Sequence, residues 1–176
     1  VMQNYAESVA QGIKHAAELV GAKTVIIGIK SKNRASIEAM NNTTLGPAGS
    51  SLYQVFELRD FYPAGDEVTL VHQITGKVVP PAGLPLDVGV VVINNETALN
   101  IFDAINGQPV THSFVTISGA VKNPATFKVE LGCSFAELIE AAGGSTITDW
   151  VILDGGPMMG SIVEDPEKTV VKTSSG

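Results

Sequence analysis

The chain has 176 residues, of which 44% are hydrophobic and 16% charged, a balance that fits a folded globule and excludes an intrinsically disordered chain. Its net charge of −7 disfavours a nucleic-acid partner, because such proteins present a basic surface. No apolar run of the sequence reaches the roughly 18 residues of a membrane span, and the single cysteine, Cys133, favours a reducing, cytoplasmic setting.

Helix and strand patterns alternate over the first 60 residues. Apolar side chains recur at helical spacing from Tyr5 to Val20, and Gly21 follows as the expected C-terminal stop. The next segments predict a strand, a short helix, a polar loop and a strand: KTVIIGIK at 23–30, RASIEAM at 34–40, NNTTLGPAGSS at 41–51 and LYQVFELRD at 52–60. This order predicts a layered α/β sheet with helices on its faces.

The run YPAGDEVT at 62–69 sets two carboxylates where a helix begins. Asp66 predicts an N-cap, and Gly76 the end, of a helix that reaches Ile74. Favourable placement near the helix dipole is a sufficient reason for Asp66 and Glu67. Alternatively, the backbone at Gly65 and these two carboxylates form one wall of a nucleotide pocket, accepting hydrogen bonds from ribose hydroxyls or a carboxamide while repelling phosphate. The spacing leaves both interpretations open.

The run VGVVVI at 88–93 predicts a buried strand after a Pro- and Gly-rich crossing at 78–85. Asn94 or Asn95 then caps the helix ETALNIFDAI at 96–105, whose apolar face predicts Leu99, Phe102 and Ile105 in the core. Ligands of open α/β sheets favour the crevice beyond the carboxyl ends of strands. An Asn amide there, with Glu96 close by, suits a flat heteroaromatic edge as well as it suits a plain cap.

From about residue 110 the pattern becomes hairpin, helix and strand. Two β-patterned runs lie within HSFVTISGAVKNPATFKVEL at 112–131, Ser134 and Glu137 form a capping-box pattern, and WVILDGG at 150–156 predicts another strand. This order is typical of a β-grasp (ubiquitin-like) module. We therefore predict an α/β chain in three parts: a partial Rossmann-like domain at 1–110, a β-grasp domain at 111–163, and the start of a truncated C-terminal region at 164–176.

Other motifs predict structure and no chemistry. DGGPMMG at 154–160 lacks a phosphate-binding pattern and predicts a tight turn, with Met158 and Met159 as adaptable packing residues. Cys133 and the three histidines have no metal-ligand spacing, so no metal site is expected. No nucleophile and base pattern is present, and no catalytic residue is assigned. Because the chain begins in a helical pattern and stops just after a strand-like run, we expect an excerpt from a longer protein.

Together, the runs at 61–101, VTISGAVKNPATFKVELG at 115–132 and DGGPMMG at 154–160 resemble the RnfC-like/PduS family of flavin and iron–sulfur electron-transfer subunits. The NADH-binding flavin subunit of respiratory complex I is similar at a greater distance. In that family an FMN-binding Rossmann-like domain precedes a β-grasp domain of the SLBB type and then a cysteine-rich domain with [4Fe–4S] clusters.

The resemblance implies a site built from two motifs. The family's G-E-E motif near nicotinamide and flavin matches Gly65, Asp66 and Glu67, and its N-V-E-T motif matches the run from Asn94 through Asn95 and Glu96 to Thr97. The chain departs from the pattern at Ile93, Asn95 and the shortened Asp66. The implied cofactor-binding residues are Gly65, Asp66, Glu67, Asn94, Glu96 and Thr97.

The resemblance also implies that the parent protein passes electrons from NADH through FMN to [4Fe–4S] clusters. The family's glycine-rich flavin loop and cysteine motifs are not among these residues, and one cysteine cannot ligate a [4Fe–4S] cluster. The chain is thus expected to carry a partial FMN and NADH pocket, to bind FMN weakly or not at all, and to be inactive alone. The implied partners are other electron-transfer subunits or a cobalamin- or ferredoxin-linked redox protein, either at a membrane complex or within a bacterial microcompartment. The alternative is a non-catalytic SLBB module that binds a ligand, such as a cobalamin, or docks onto other electron-transfer proteins.

Overall fold

A pair of parallel strands, β1 at Ile26–Lys30 and β2 at Gln54–Leu58, forms the sheet of the first unit of the fold, Val1–Gln108. In this computed structural model the described residues are 1–43, 52–157 and 159–174. Most of the polar loop predicted over 41–51 lies outside them, as does Met158 with its predicted packing role.

Four helices accompany this strand pair in the described residues of the first unit. They are α1 at Ala6–Val20, α2 at Arg34–Asn41, α3 at Glu67–Thr75 and α4 at Asn95–Ile105, with a short 3-10 turn at Pro85–Val88. Gly21 ends α1 with a φ of 64°, and its N–H bonds the carbonyls of Ala17 and Glu18, as expected of a left-handed C-cap. The predicted strand–helix–strand order from residue 23 to residue 60 is confirmed.

Two glycines allow helices to approach their neighbours closely. A Cβ atom added to Gly12 of α1 would lie 1.8 Å from the backbone oxygen of Ala98, so α1 and α4 meet backbone to backbone. A Cβ on Gly28 of β1 would lie 2.7 Å from Cδ1 of Leu70 and 3.3 Å from Cδ1 of Ile74. Helix α3 therefore packs on the face of the strand pair that carries Gly28.

The core of the first unit includes one polar cluster. The hydroxyl oxygens of Thr43 and Tyr53 are within hydrogen-bonding distance of each other, and each lies 2.8 Å from the carbonyl oxygen of Met40, so two hydroxyl protons are shared among these three oxygens. Met40 is fully buried and Tyr53 is 5% exposed. Burial raises the pKa of the Tyr53 hydroxyl, which therefore stays a neutral donor that ties the end of α2 to the start of β2.

The strand predicted at 88–93 is wrong. Pro85–Val88 is a 3-10 turn, Gly89 has a φ of 71°, and 90–94 is in neither helix nor strand. Val91 is 55% exposed and Ile93 40% exposed. The physical reason is that no strand within the described ranges supplies the hydrogen bonds that this apolar run needs to form a ladder. The core position predicted for Ile105 is also wrong, because that side chain is 53% exposed.

The second unit, Pro109–Gly176, begins with an antiparallel hairpin of β3 at His112–Ile117 and β4 at Ala125–Glu130. Helix α5 at Phe135–Ala141 follows, and β5 at Ile152–Asp154 pairs with β6 at Ser161–Val163. Its core consists of five buried residues: Val115, Phe135, Leu138, Val163 and Val170. Val170 comes from the segment predicted as a separate C-terminal region, and in the structure it packs in this core.

Local signals of the second unit act as predicted. Ser134 Oγ accepts from the Glu137 N–H at 3.2 Å, and the Glu137 carboxylate accepts from the Ser134 N–H at 2.7 Å, which completes the capping box. The glycine-rich run is a tight turn between β5 and β6, where the Gly160 N–H donates to the Gly156 carbonyl at 2.7 Å. The predicted fold class, a layered α/β unit followed by a small β-grasp unit, is confirmed. No helix in the described ranges is long and apolar enough to cross a membrane.

Candidate functional site

The first predicted group, Gly65 to Glu67, lies at the N-terminus of α3. The backbone N–H and the hydroxyl of Thr69 both donate to Asp66 Oδ2, at 3.0 and 3.1 Å. A turn in which the Asp66 N–H donates to the Pro63 carbonyl at 2.7 Å leads into this cap. Asp66 is therefore the N-cap that the sequence predicts, and its Oδ2 atom is committed to the helix.

Gly65 and Glu67 leave space next to this cap. A Cβ atom added to Gly65 would have no heavy atom within 4 Å, so a flat group has room to approach the backbone there. The Glu67 side chain is exposed and has no hydrogen-bond or ion-pair partner in the described parts of the chain. Its carboxylate is thus available to accept hydrogen bonds from a ligand.

The second predicted group, Asn94 to Thr97, lies at the N-terminus of α4. Asn94 Oδ1 accepts from the Glu96 N–H at 2.8 Å, which makes Asn94 the N-cap, and Glu96 is half-buried in the first turn. The Asn94 amide nitrogen has no partner among the residues that the structure describes, and Asn94 and Thr97 are both exposed. The cap uses only the carbonyl half of the Asn94 side chain.

The six predicted residues thus form two groups of three, each at a helix N-terminus. Helix α3 packs on β1 through Leu70 and Ile74, whereas α4 packs on α1 through Ala98. The side-chain hydrogen bonds of Asp66 and Asn94 stay within their own helices. The structure therefore places each group on a fixed helix end and leaves their joint use by one ligand as a proposal.

The chemistry of this donor and acceptor set fits part of a flavin or pyridine nucleotide. An amide nitrogen, a carboxylate with no partner among the described residues, and an open backbone suit ring edges, a carboxamide and ribose hydroxyls. A phosphate group would instead face the carboxylates of Asp66, Glu67 and Glu96, and like charges repel. These residues fit the rings and sugars of the nucleotide and do not fit its phosphate.

Sequence reasoning missed a basic cluster at the carboxyl edge of β1 and β2. Lys30, the last residue of β1, pairs in register with Leu58, the last residue of β2, and Arg59 comes next. Two ion pairs flank this edge, with 3.0 Å between Lys32 Nζ and Asp60 Oδ1 and 2.8 Å between Arg34 Nη1 and Glu57 Oε2. The signal in the sequence was the recurrence of basic residues just where two predicted strands end.

The second unit contains a cavity of about 340 Å³. Its lining combines part of β3 and the loop after it with Phe135 and Ile139 of α5 and the segment around Trp150. Among the described residues that line it, none has a charged side chain, and Trp150 is 38% exposed. The cavity therefore favours an uncharged occupant over an ionic one.

Comparison with protein families covers both units of the fold. Residues 1–103 match the model of the Nuo51 FMN-binding domain, and residues 114–161 match the model of the SLBB domain. The chain belongs to the family of the Nuo51 FMN-binding domain and carries an SLBB domain after it.

The relatives agree with this assignment. The chain is 43% identical to the cobalamin reductase PduS of Citrobacter freundii, over all of this chain and 38% of that protein. It is 35% identical to one component of the Na⁺-translocating ferredoxin:NAD⁺ oxidoreductase complex of Acetobacterium woodii, over all of this chain and 40% of that component. The chain therefore spans about two fifths of the length of these relatives, and the resemblance to the RnfC-like/PduS family is confirmed.

A solved structure has the same fold. A chain of an NAD⁺-reducing [NiFe]-hydrogenase in the H₂-reduced state superposes with a TM-score of 0.75 at 20% sequence identity, covering 99% of this chain and 35% of that chain. At this identity the similarity establishes the fold alone.

Proposed function

We propose that this chain is the central part of a flavin and iron–sulfur electron-transfer subunit, whose complete protein passes electrons from NADH through FMN to [4Fe–4S] clusters. The observation that carries the proposal is the order of the two matched domains, FMN-binding and then SLBB, along one chain. Two relatives with 43% and 35% identity are named as a reductase and as a component of a redox complex. We therefore propose other electron-transfer subunits, or a cobalamin- or ferredoxin-linked protein, as partners.

In this proposal the two helix N-termini hold the ring portions of the nucleotides. The Asn94 amide nitrogen donates to a ring carbonyl, and Glu67 accepts from a carboxamide or a ribose hydroxyl. Gly65 keeps the backbone open, and Thr97 supplies an exposed hydroxyl beside Glu96. Asp66 and the Asn94 Oδ1 atom fix the helix ends on which these groups lie. FMN, when bound, supplies the hydride and single-electron chemistry, and the protein binds and orients it.

The one cysteine of this chain cannot supply a cluster site, and the proposal assigns no general acid or base to its residues. A [4Fe–4S] cluster needs cysteine thiolates, and the one cysteine, Cys133, packs against the core of the second unit. Clusters therefore belong to other parts of the proposed parent, and the 176-residue chain alone is proposed to be inactive.

Flavin binding by the complete protein tests the proposal. Asn94→Ser keeps a capping oxygen but removes the amide donor. FMN affinity should therefore fall about tenfold, as expected for the loss of one hydrogen bond between neutral groups. Glu67→Gln should weaken NADH binding more than FMN binding. Glu38→Gln, on α2, and Asn42→Ser, at the residue after α2, make the same chemical changes at exposed positions and serve as controls. Unchanged flavin and NADH affinities in both site variants would refute this assignment.

The isolated chain gives an independent check. Because the family's glycine-rich flavin loop is not among its residues, it should bind FMN weakly or not at all. Purification of the 176-residue chain with a stoichiometric yellow chromophore would contradict the idea that part of the pocket lies elsewhere in the parent.

The second candidate function, a binding module, is favoured by the cavity in the SLBB unit. A volume of about 340 Å³ lies at the lower end of the range for small-molecule sites, roughly 300–1,000 Å³. Trp150 is the only tryptophan of the chain, so its fluorescence reports on this cavity alone. A cobalamin is too large to enter this cavity whole and would insert only an uncharged part of itself. Saturable quenching by a cobalamin, beyond the inner-filter loss measured with N-acetyltryptophanamide, would support ligand binding. A linear response equal to that control would count against it.

A further inference from the structure

The carboxyl edge of the β1–β2 pair is basic in an acidic chain. Lys30 and Leu58 are partners in the parallel register, and the Ser31 N–H donates to the Leu58 carbonyl at 2.9 Å, so both strands end at this edge. Residues 30–34 and 57–60 together hold four basic and two acidic side chains, whereas the whole chain has a net charge of −7. Such a local excess of positive charge attracts anions.

Two of these cations already have counter-charges and two do not. Lys32 and Arg34 form the ion pairs with Asp60 and Glu57 described above. Lys30 and Arg59 have no ion-pair partner within residues 1–43, 52–157 and 159–174. Their charges are therefore available to a ligand.

Lys30 lies on the side of the strand pair that α3 covers. Side chains alternate along a strand, so Lys30 shares a face of β1 with Gly28, whose missing Cβ faces Leu70 and Ile74 of α3. The basic edge is thus adjacent to the helix that carries Gly65, Asp66 and Glu67 at its start.

The connection from β2 to α3 keeps that start close to the same edge. Only residues 59–66 lie between the two elements, and they fold into successive turns. The Phe61, Ala64 and Asp66 N–H groups donate to carbonyls two or three residues earlier, at 3.2, 3.1 and 2.7 Å. A segment folded in this way covers far less distance than eight extended residues would.

We propose that Lys30 and Arg59 bind a phosphate group of the nucleotide whose ring end lies at Gly65–Glu67. The inference rests on the proposed function. It gives the phosphate group, which the carboxylates of Asp66 and Glu67 repel, a binding site of its own. Arg59 offers a guanidinium that forms two parallel hydrogen bonds to phosphate oxygens, and Lys30 adds a compact charge. Crevices at the carboxyl ends of parallel strands are where open α/β sheets bind ligands. The phosphate belongs either to FMN or to the dinucleotide.

The test uses the complete protein with Lys30→Gln and Arg59→Gln. Lys23→Gln is the matched control, because Lys23 is exposed and precedes the amino end of β1, at the opposite edge of the strand pair. FMN and riboflavin binding are measured by flavin fluorescence, and NAD⁺ binding by calorimetry. Each site variant should lose about tenfold in affinity for the phosphate-bearing ligand, as expected for one charge-assisted contact, while Lys23→Gln stays at the wild-type value.

The ligands distinguish the two sources of phosphate. Weaker FMN binding with unchanged riboflavin binding assigns the cations to the flavin phosphate. Weaker NAD⁺ binding with unchanged FMN binding assigns them to the diphosphate. If both variants bind every ligand as the wild type does, the inference is wrong.

Failure of the proposed function has a different signature. In that case the wild-type protein binds neither FMN nor NAD⁺, and inorganic pyrophosphate is titrated into the 176-residue chain and followed by NMR. If pyrophosphate binds to the wild-type chain and not to the Lys30→Gln/Arg59→Gln double variant, Lys30 and Arg59 form an anion site although the chain binds no nucleotide. If pyrophosphate does not bind to the wild-type chain, the inference is wrong as well.

Discussion

The contact between α1 and α4 makes Gly12 a position where adding a single methyl group should destabilise the first unit. In Gly12→Ala the new Cβ atom would lie 1.8 Å from the Ala98 oxygen, 2.7 Å from the Ala98 carbonyl carbon and 3.3 Å from the Phe102 nitrogen. These atoms belong to the backbone of a helix and cannot rotate away. Restoring an ordinary carbon–oxygen contact of about 3.3 Å requires the helices to separate locally by about 1.5 Å.

Two effects of opposite sign determine how much Gly12→Ala changes the free energy of unfolding. Alanine is the better helix former, which stabilises α1 by about 0.5–1 kcal/mol. Forced separation at a packed contact costs about 1–3 kcal/mol, or more when backbone atoms clash. Val9, Ala10 and Leu99, all at most 5% exposed, are buried on the same two helices, so separation also uncovers apolar surface. The packing term should win, with a net loss of about 1–2 kcal/mol.

Urea unfolding followed by far-ultraviolet circular dichroism measures this loss, because the only tryptophan lies in the second unit. Gly65→Ala is the matched control, since its new Cβ atom would meet nothing within 4 Å and should leave stability unchanged or slightly higher. A Gly12→Ala chain as stable as the wild type would show that the two helix backbones do not meet as described.

Three further predictions concern local interactions. Asp66→Ala removes the acceptor of two Thr69 hydrogen bonds and should cost about 0.5–2 kcal/mol in the same urea assay, whereas Asp66→Asn, which keeps a capping oxygen, should cost less. Ser134→Ala breaks the capping box with Glu137 and should lower the stability of the second unit by about 1 kcal/mol, measured by tryptophan fluorescence; an unchanged midpoint would deny the cap an energetic role. Burial, followed by the charge of Glu137, raises the pKa of the Cys133 thiol, so iodoacetamide should react more slowly at pH 8.5 with the folded chain than with the urea-unfolded chain, and equal rates would contradict the shift. The pKa of the Cys133 thiol is higher in the folded chain than in the unfolded chain. Its contribution to the free energy of unfolding is therefore fully present below the unfolded pKa and is lost as the pH rises through the folded pKa.

The elements predicted correctly are those that local chemistry specifies. Asp66 followed by Thr69, Ser134 followed by Glu137, and Gly21 after an apolar period each satisfy backbone groups within a few residues, so the sequence alone identifies them. The positions of these caps also predicted where the candidate site residues lie, because both site groups are at helix N-termini.

The features that sequence reasoning missed depend on partners distant in the chain. An apolar run such as VGVVVI becomes a strand only when another strand lies beside it, and in the described residues none does. Strand β6 has three residues, too few to show a period of two. Basic residues at the ends of two predicted strands are visible in the sequence, but the edge that they form requires the register that sets Lys30 beside Leu58, and spacing along the chain does not give that register.

The caps and the proposed ligand contacts use different atoms, which is why one sequence can encode both. Asp66 Oδ2 and Asn94 Oδ1 are fully explained by the N–H groups they accept from. Capping does not explain the space next to Gly65 or the position of the Asn94 amide nitrogen, because neither contributes to a cap. Substitutions that keep the capping oxygen and change only the remaining atoms therefore separate stability from binding. Asn94→Ser should leave the unfolding midpoint close to the wild-type value while it weakens flavin binding, and a loss of both in proportion would mean that Asn94 acts as a cap alone.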